Sequence, residues 1–253
     1  MLHKNIITKN MSKKYKGKLC IYCARRIATT ADHVIARQFF DVKRRSDLLK
    51  VPACAECNNI KSKLEHYLAS VLPFGSNHES AHEMVCSAVE NRLNRNLKLK
   101  KYLQSGKARK WTKSERGIYT NNLQIPIDNK AILRLFENIA QGLLYTHYNV
   151  ILGSEYFVNA ITITDIGYHN YYRQFIGDSE VGVVEGALAG SGFTYTGRQG
   201  KEYPEMSVWF MQLYDGVKLV GDNDEVSNKV FAVTGHQRIL QNAYLANKYR
   251  ILT

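Results

Sequence analysis

The chain has 253 residues, 45% of them hydrophobic and 11% aromatic, with 35 Lys+Arg against 22 Asp+Glu. That composition excludes disorder as the main state, the length allows one large domain or two modest ones, and no apolar run approaches the roughly 18–20 residues that would span a bilayer. The charge is split: residues 1–120 carry 25 Lys+Arg and 9 Asp+Glu, net +16, whereas residues 121–253 carry 10 and 13, net −3, so an anionic polymer is the expected partner of the first half only.

In chain order, residues 1–15 read as a loose basic arm with no apolar segment for export, which points to a cytoplasmic protein with no membrane partner. Residues 16–72 hold two close cysteine pairs. Residues 79–104 predict one long helix, with Met84, Val85, Val89, Leu93, Leu97 and Leu99 as its apolar stripe and Arg92, Arg95, Lys98, Lys100 and Lys101 elsewhere. Such a helix serves either as a packing element with a wet face or as a surface that follows nucleic acid. Ser105–Asn122 is polar and basic with no clear period, so residues 73–122 are expected to be this helix and a linker. Residues 123–253 predict a mixed α+β domain. Asp128 caps a helix to about Tyr145, strands follow at Val158–Thr164, Gly192–Thr196, Ser207–Tyr214, Val217–Val220 and Lys229–Val233, and a helix from about His236 to Lys248 closes the chain. The run Val208–Tyr214 carries apolar residues at both parities, as a central strand buried on both sides does. With no basic excess, this domain suits a scaffold, or regulation and the docking of a protein partner.

Cys20-Ile21-Tyr22-Cys23 and Cys54-Ala55-Glu56-Cys57 each present two sulfurs from one turn, and two such turns close a tetrahedral structural zinc site. A dithiol redox pair is the alternative, but it leaves the second pair unexplained. Cys86 is left over as a small buried hydrophobe on the apolar side of the long helix. A closed four-thiolate site performs no reaction, so chemistry is sought beside it. Between the pairs lie Asp32 and His33. If Cys57 opens a helix, Asn58, Lys61, Ser62 and Glu65 share one face and Ile60, Leu64, Tyr67, Leu68 and Val71 are offered to a core on the other. Asp32 and Asn58 supply hard oxygens of the kind magnesium or manganese takes, and His33 is a titratable base.

The order C-x-x-C, Asp-His-Val, then C-x-x-C-Asn-x-x-Lys over about residues 16–70 resembles the HNH endonuclease family, whose fold is the ββα-metal module. The resemblance implies a metal-binding carboxylate at Asp32, a general base at His33, a second metal ligand at Asn58, and a lysine at Lys61 that matches a family position three residues later. The Asp, His, Asn choice is similar to that of RNA-guided CRISPR nucleases. Two family features have no counterpart: the middle Asn is expected near Leu49, where Asp47 is the closest polar residue, and Ala36 stands where a proline is common. The activity implied is one-metal hydrolysis of DNA, with RNA as an alternative substrate, in a restriction, homing or anti-phage defence role. Arg37, Lys61, Lys63, Arg92 and Arg95 are the expected nucleic-acid contacts, and Glu65 either holds a metal-bound water or pairs with Lys61. A catalytically inactive, zinc-stapled nucleic-acid-binding module is the competing expectation.

Overall fold

The computed structural model describes residues 15, 17–113, 117–177, 182–221 and 225–238. Residues 1–14 of the expected arm at 1–15 and most of the expected closing helix lie outside them; Tyr15 is described and buried.

The cysteine-bearing segment folds as a two-stranded antiparallel pair followed by a helix. Strand β1 (Thr30–His33) pairs with β2 (Lys50–Ala53) in the register Thr30↔Ala53 to His33↔Lys50. Helix α1 (Ala55–Leu68) starts at once because Cys54 caps it, its sulfur accepting from Cys57 N at 3.5 Å. Of the residues that α1 and its end were expected to offer to a core, Leu68 and Val71 are buried and Leu64 and Tyr67 pack against the main core; burial corrects the expectation at Ile60 and on the polar face. Lys61, Glu65 and Leu68 are the buried side chains of the helix, whereas Ile60 is 54% exposed.

The single long helix expected at 79–104 is two. Helix α2 (Glu79–Met84) continues through a π turn at Val85–Val89 into α3 (Glu90–Arg95), and then the chain breaks at Asn96, with φ −125° and ψ 73°. The Asn96 carboxamide accepts from Leu99 N at 3.1 Å and so caps a new helix, α4 (Leu97–Gly106). Cys86 is exposed on this segment instead of being a buried hydrophobe. The segment expected as a linker holds a hairpin, β3 (Ala108–Lys113) against β4 (Tyr119–Gln124).

Helix α5 (Asn129–Tyr148) is capped by Asp128, which accepts from Ala131 N at 3.3 Å, and ends at Asn149 in the left-handed region. Beyond it come β5 (Tyr156–Ile163), α6 (Asp165–Phe175), β6 (Val183–Leu188), β7 (Phe193–Gln199), β8 (Ser207–Leu213), the short pair β9 (Leu219–Val220) and β10 (Val226–Ser227), and β11 (Lys229–His236). Five of these strands form an antiparallel sheet in the order β5-β11-β8-β7-β6, so β8 is central as expected. On β8, Trp209, Met211 and Leu213 join the main core with α5, while Phe210 joins a smaller cluster with Ile163, Phe231 and the tyrosines of α6. The sheet is therefore covered by α5 on one face and α6 on the other, an α+β architecture. Helix α6 and strand β6 went unseen in the sequence, because α6 buries none of its side chains fully and β6 carries Glu185 and Gly186 at its centre.

The main core does not stop at residue 123. Helix α5 packs on α1 and β2 as well as on β5, β8 and β11, and Val34, Phe39, Val51 and Leu68 share one apolar cluster with Leu143, Trp209 and Tyr214. Polar bonds cross the same seam: Tyr214 donates its hydroxyl to the Phe39 carbonyl, and Asp47 accepts from Ala189 N at 3.0 Å. Gly142 of α5 permits the close approach, since a Cβ there would lie 2.9 Å from both γ-carbons of Val34.

Candidate metal centre and active site

The first cysteine pair sits in a turn closed by Ala24 N donating to the Cys20 carbonyl at 2.9 Å, with Ala24 at φ 50°. Ile21 N donates to the Pro52 carbonyl (3.1 Å) and Thr29 N to the Ala53 carbonyl (3.0 Å), which fastens this turn to the end of β2, where Cys54 begins α1. All four sulfurs consequently lie within 4.8 Å of one another, in a group that could hold a structural metal. Their chemistry fits a cation. Burial and the neighbouring sulfurs push the Cys57 thiol up, and burial raises Cys20; Cys23 is brought down to about 7 by backbone N–H groups of Arg25 and Arg26, against the effect of its own burial. Four soft donors at tetrahedral reach are zinc's preferred set. Arg26 reaches Cys54 Sγ at 3.9 Å and forms an exposed ion pair with Glu56.

Beside this centre α1 lies over β1. Successive strand side chains leave opposite faces, so Thr30 and Asp32 both face the helix. Asn58 donates from Nδ2 to Thr30 Oγ1 at 3.1 Å, and three residues on, Lys61 Nζ lies 2.9 Å from Asp32 Oδ2. Lys61 also contacts Glu65 Oε1 at 2.5 Å and donates to the His33 carbonyl at 2.7 Å. Tyr22, from inside the first cysteine pair, donates its hydroxyl to Asp32 Oδ2 at 2.7 Å; burial and the adjacent carboxylate push its phenol well up, so it stays a donor. The charged groups of this network are buried: Lys61 is 1% exposed, Glu65 4% and Asp32 7%.

The expected site is thus only partly assembled as foreseen. Asp32 and Asn58 share one face under α1. His33 follows Asp32 at the strand end, half-buried, with Lys50 across the strand pair and Arg37, Asp32 and Lys61 near enough to act on its charge. Burial first, then Lys50 and Arg37, push its imidazole down to about 4. Lys61, expected to contact phosphate, is instead sealed against two carboxylates. Arg92, also expected on nucleic acid, is a clamp whose guanidinium donates to the carbonyls of Ala69 and Gln38, both at 2.7 Å. Arg37, Lys63 and Arg95 are exposed. Glu65 is paired with Lys61, and Asp47 holds the turn after β6. The backbone behind His33 is instead supported by Lys61 and by Val34 N donating to the Leu49 carbonyl at 2.9 Å. Sequence reasoning missed Tyr22 and Lys50. Only the strand register could have found Lys50, and Tyr22 carried no signal beyond its place between two cysteines.

Among known proteins the chain matches no family model, no curated protein and no solved structure.

Proposed function

We propose that this chain is a metal-dependent endonuclease of HNH type that hydrolyses DNA phosphodiester bonds, its four cysteines holding a structural zinc. The observation that carries it is the placement of Asn58 and Lys61 over Thr30 and Asp32, on a helix fixed to that strand pair by the cysteine turns. Beyond these bonds Asp32 keeps its second carboxylate oxygen and Asn58 its carboxamide oxygen. Two hard oxygens suit magnesium or manganese, which retain several waters. Such an ion, when bound, supplies charge to stabilise the pentacovalent phosphate and the leaving 3′ oxygen.

The protein's own groups do the rest. His33, held unprotonated at neutral pH by burial, Lys50 and Arg37, accepts a proton from the attacking water. Lys50 and Arg37 are exposed cations beside that base and draw a phosphate towards it. Tyr22 and Lys61 hold the Asp32 carboxylate in place.

The decisive assay is nicking of plasmid DNA by purified protein with magnesium or manganese. Activity is expected in the wild type and a loss on the order of 10² to 10⁴ in rate in His33→Ala, with zinc content and fold unchanged. A second function is favoured by one observation, the Lys61 ammonium already lying against Asp32 where a cation would go. A zinc-stapled nucleic-acid-binding module without catalysis would bind plasmid in the same assay and leave it intact with either metal.

A further inference from the structure

The β3–β4 hairpin stands outside every apolar cluster: none of its residues belongs to the three cores among the described residues. It closes on itself, Asn122 Nδ2 donating to Thr112 Oγ1 and Thr120 Oγ1, both at 2.8 Å. A two-stranded ribbon without a core is marginal in water, so this one is costly to keep for stability alone. Its register sorts the side chains. Arg109, Trp111 and Lys113 share a face with their partners Leu123, Asn121 and Tyr119; Lys110 and Thr112 share the other with Asn122 and Thr120. On the first face Trp111 is 63% exposed, Tyr119 61% and Leu123 59%, and Lys113 Nζ lies 5.6 Å from the centre of the Tyr119 ring.

The described residues 107–113 and 117–124 contain Lys107, Arg109, Lys110 and Lys113 and no Asp or Glu. None of these four cations is in an ion pair with another described residue. Lysines on a strand edge also deter aggregation. That does not account for three large apolar side chains left exposed on the same face.

We infer that the β3–β4 hairpin is a DNA-binding arm that enters a groove of the duplex substrate. The inference rests on the nuclease proposal for the substrate and adds the surface that holds it. A duplex major groove admits a two-stranded ribbon, Arg pairs with guanine edges, Asn with adenine edges, and lysines reach the flanking phosphates. Cationic groups on both faces, Lys110 on one, Arg109 and Lys113 with Asn121 on the other, suit insertion between two phosphate walls. A stacking platform for a single strand needs only one such face.

The test measures binding of a fluorescent duplex oligonucleotide, and of one of its strands, across a salt series, using the full chain with His33→Ala and no added divalent metal. Replacing two phosphate-bound cations removes about 2 from the slope of log affinity against log salt, and about 10- to 100-fold in affinity at ~0.1 M salt. Lys110→Gln combined with Lys113→Gln is expected to show both losses on the duplex, and Trp111→Ser to weaken binding several-fold with the slope unchanged. Equal zinc content and equal thermal midpoints check that these exposed changes leave the fold intact. If the parent binds duplex and the double variant binds it equally with the same slope, the arm is overturned and the nuclease proposal stands. Losses confined to the single strand overturn the groove assignment. A parent that binds no DNA at any salt overturns both.

Discussion

Lys61 places an ammonium where almost no water reaches, between two carboxylates and a backbone carbonyl. Removing one partner from such a buried set strands the others. Lys61→Met is therefore expected to cost about 3–5 kcal/mol of stability in denaturant melts, far more than a lost phosphate contact, which would change affinity and leave stability alone. The same pocket makes stability depend on pH. Burial is the main cause that holds Glu65 up to about 7, with Asp32 adding to it and Lys61 opposing it. A carboxyl raised above its unfolded value of 4.5 contributes stability that is fully present below that value and lost as pH climbs through about 7. Glu65→Gln, which cannot ionise, should gain stability relative to the wild type as pH rises from 5 to 8, and thermal midpoints at both pH values measure it. His33 acts in the other direction: its depressed imidazole lets the unfolded chain take up protons first, so acidification from about 6.5 towards 4 is destabilising. The spacing of Asn58, Lys61, Ser62 and Glu65 was legible in the sequence as one helical face. The core side was legible too, at Leu64, Tyr67, Leu68 and Val71; that Lys61 and Glu65 on the polar face are also buried was not, because they enter the interior as a pair and periodicity counts such residues as solvent-facing.

Among the elements, α5 sets the position of the segment that follows His33. Exchanging glycine for alanine inside a helix ordinarily stabilises by about 1 kcal/mol. At Gly142 the sign should reverse, because the added methyl meets both γ-carbons of Val34 in a packed core; overpacking of this kind costs about 1–3 kcal/mol. Denaturant melts of Gly142→Ala read the sign directly. On the nuclease proposal the variant should also lose activity, since Val34 adjoins the base. The ends of α5 were legible, Asp128 as cap and Tyr145 within three residues of the stop. The hairpin at 108–124 was not: period-2 alternation is visible only when one face is apolar, and here both are polar or mixed. The break between α3 and α4 did leave a mark, an Asn at position 96 in an otherwise continuous stripe. Asn is among the strongest capping residues and a poor helix interior, and both properties are used here.

At the scale of the whole molecule, charge separates the halves and packing joins them. The cysteine turns position β1, β2 and α1, and those elements cover one side of α5 while the sheet covers the other. Loss of a metal held by the four cysteines should accordingly be felt at Trp209, deep in β8. In a Trp111→Phe background, Cys54→Ser is expected to lower the midpoint of the Trp209 fluorescence transition while keeping it single; an unshifted Trp209 transition would show that the halves fold apart. Length, composition and the paired cysteines gave no warning of this shared core, because contacts such as Phe39 with Tyr214 join residues that no local pattern connects.

That shared core has a consequence for how the protein is made. Chains leave the ribosome from the N-terminus at roughly 5–20 residues per second. The segment bearing Asp32, His33 and Asn58 emerges first, but α5 is its floor, and β11, which fills the gap between β5 and β8, ends only at His236. The interval from Leu68 to His236 is about 170 residues, on the order of 10–30 s of translation. On the nuclease proposal, the order of synthesis acts as a safeguard: the nascent chain displays Asp32, His33 and Asn58 long before the core that positions them is complete, and a translation product truncated before β11 lacks that core.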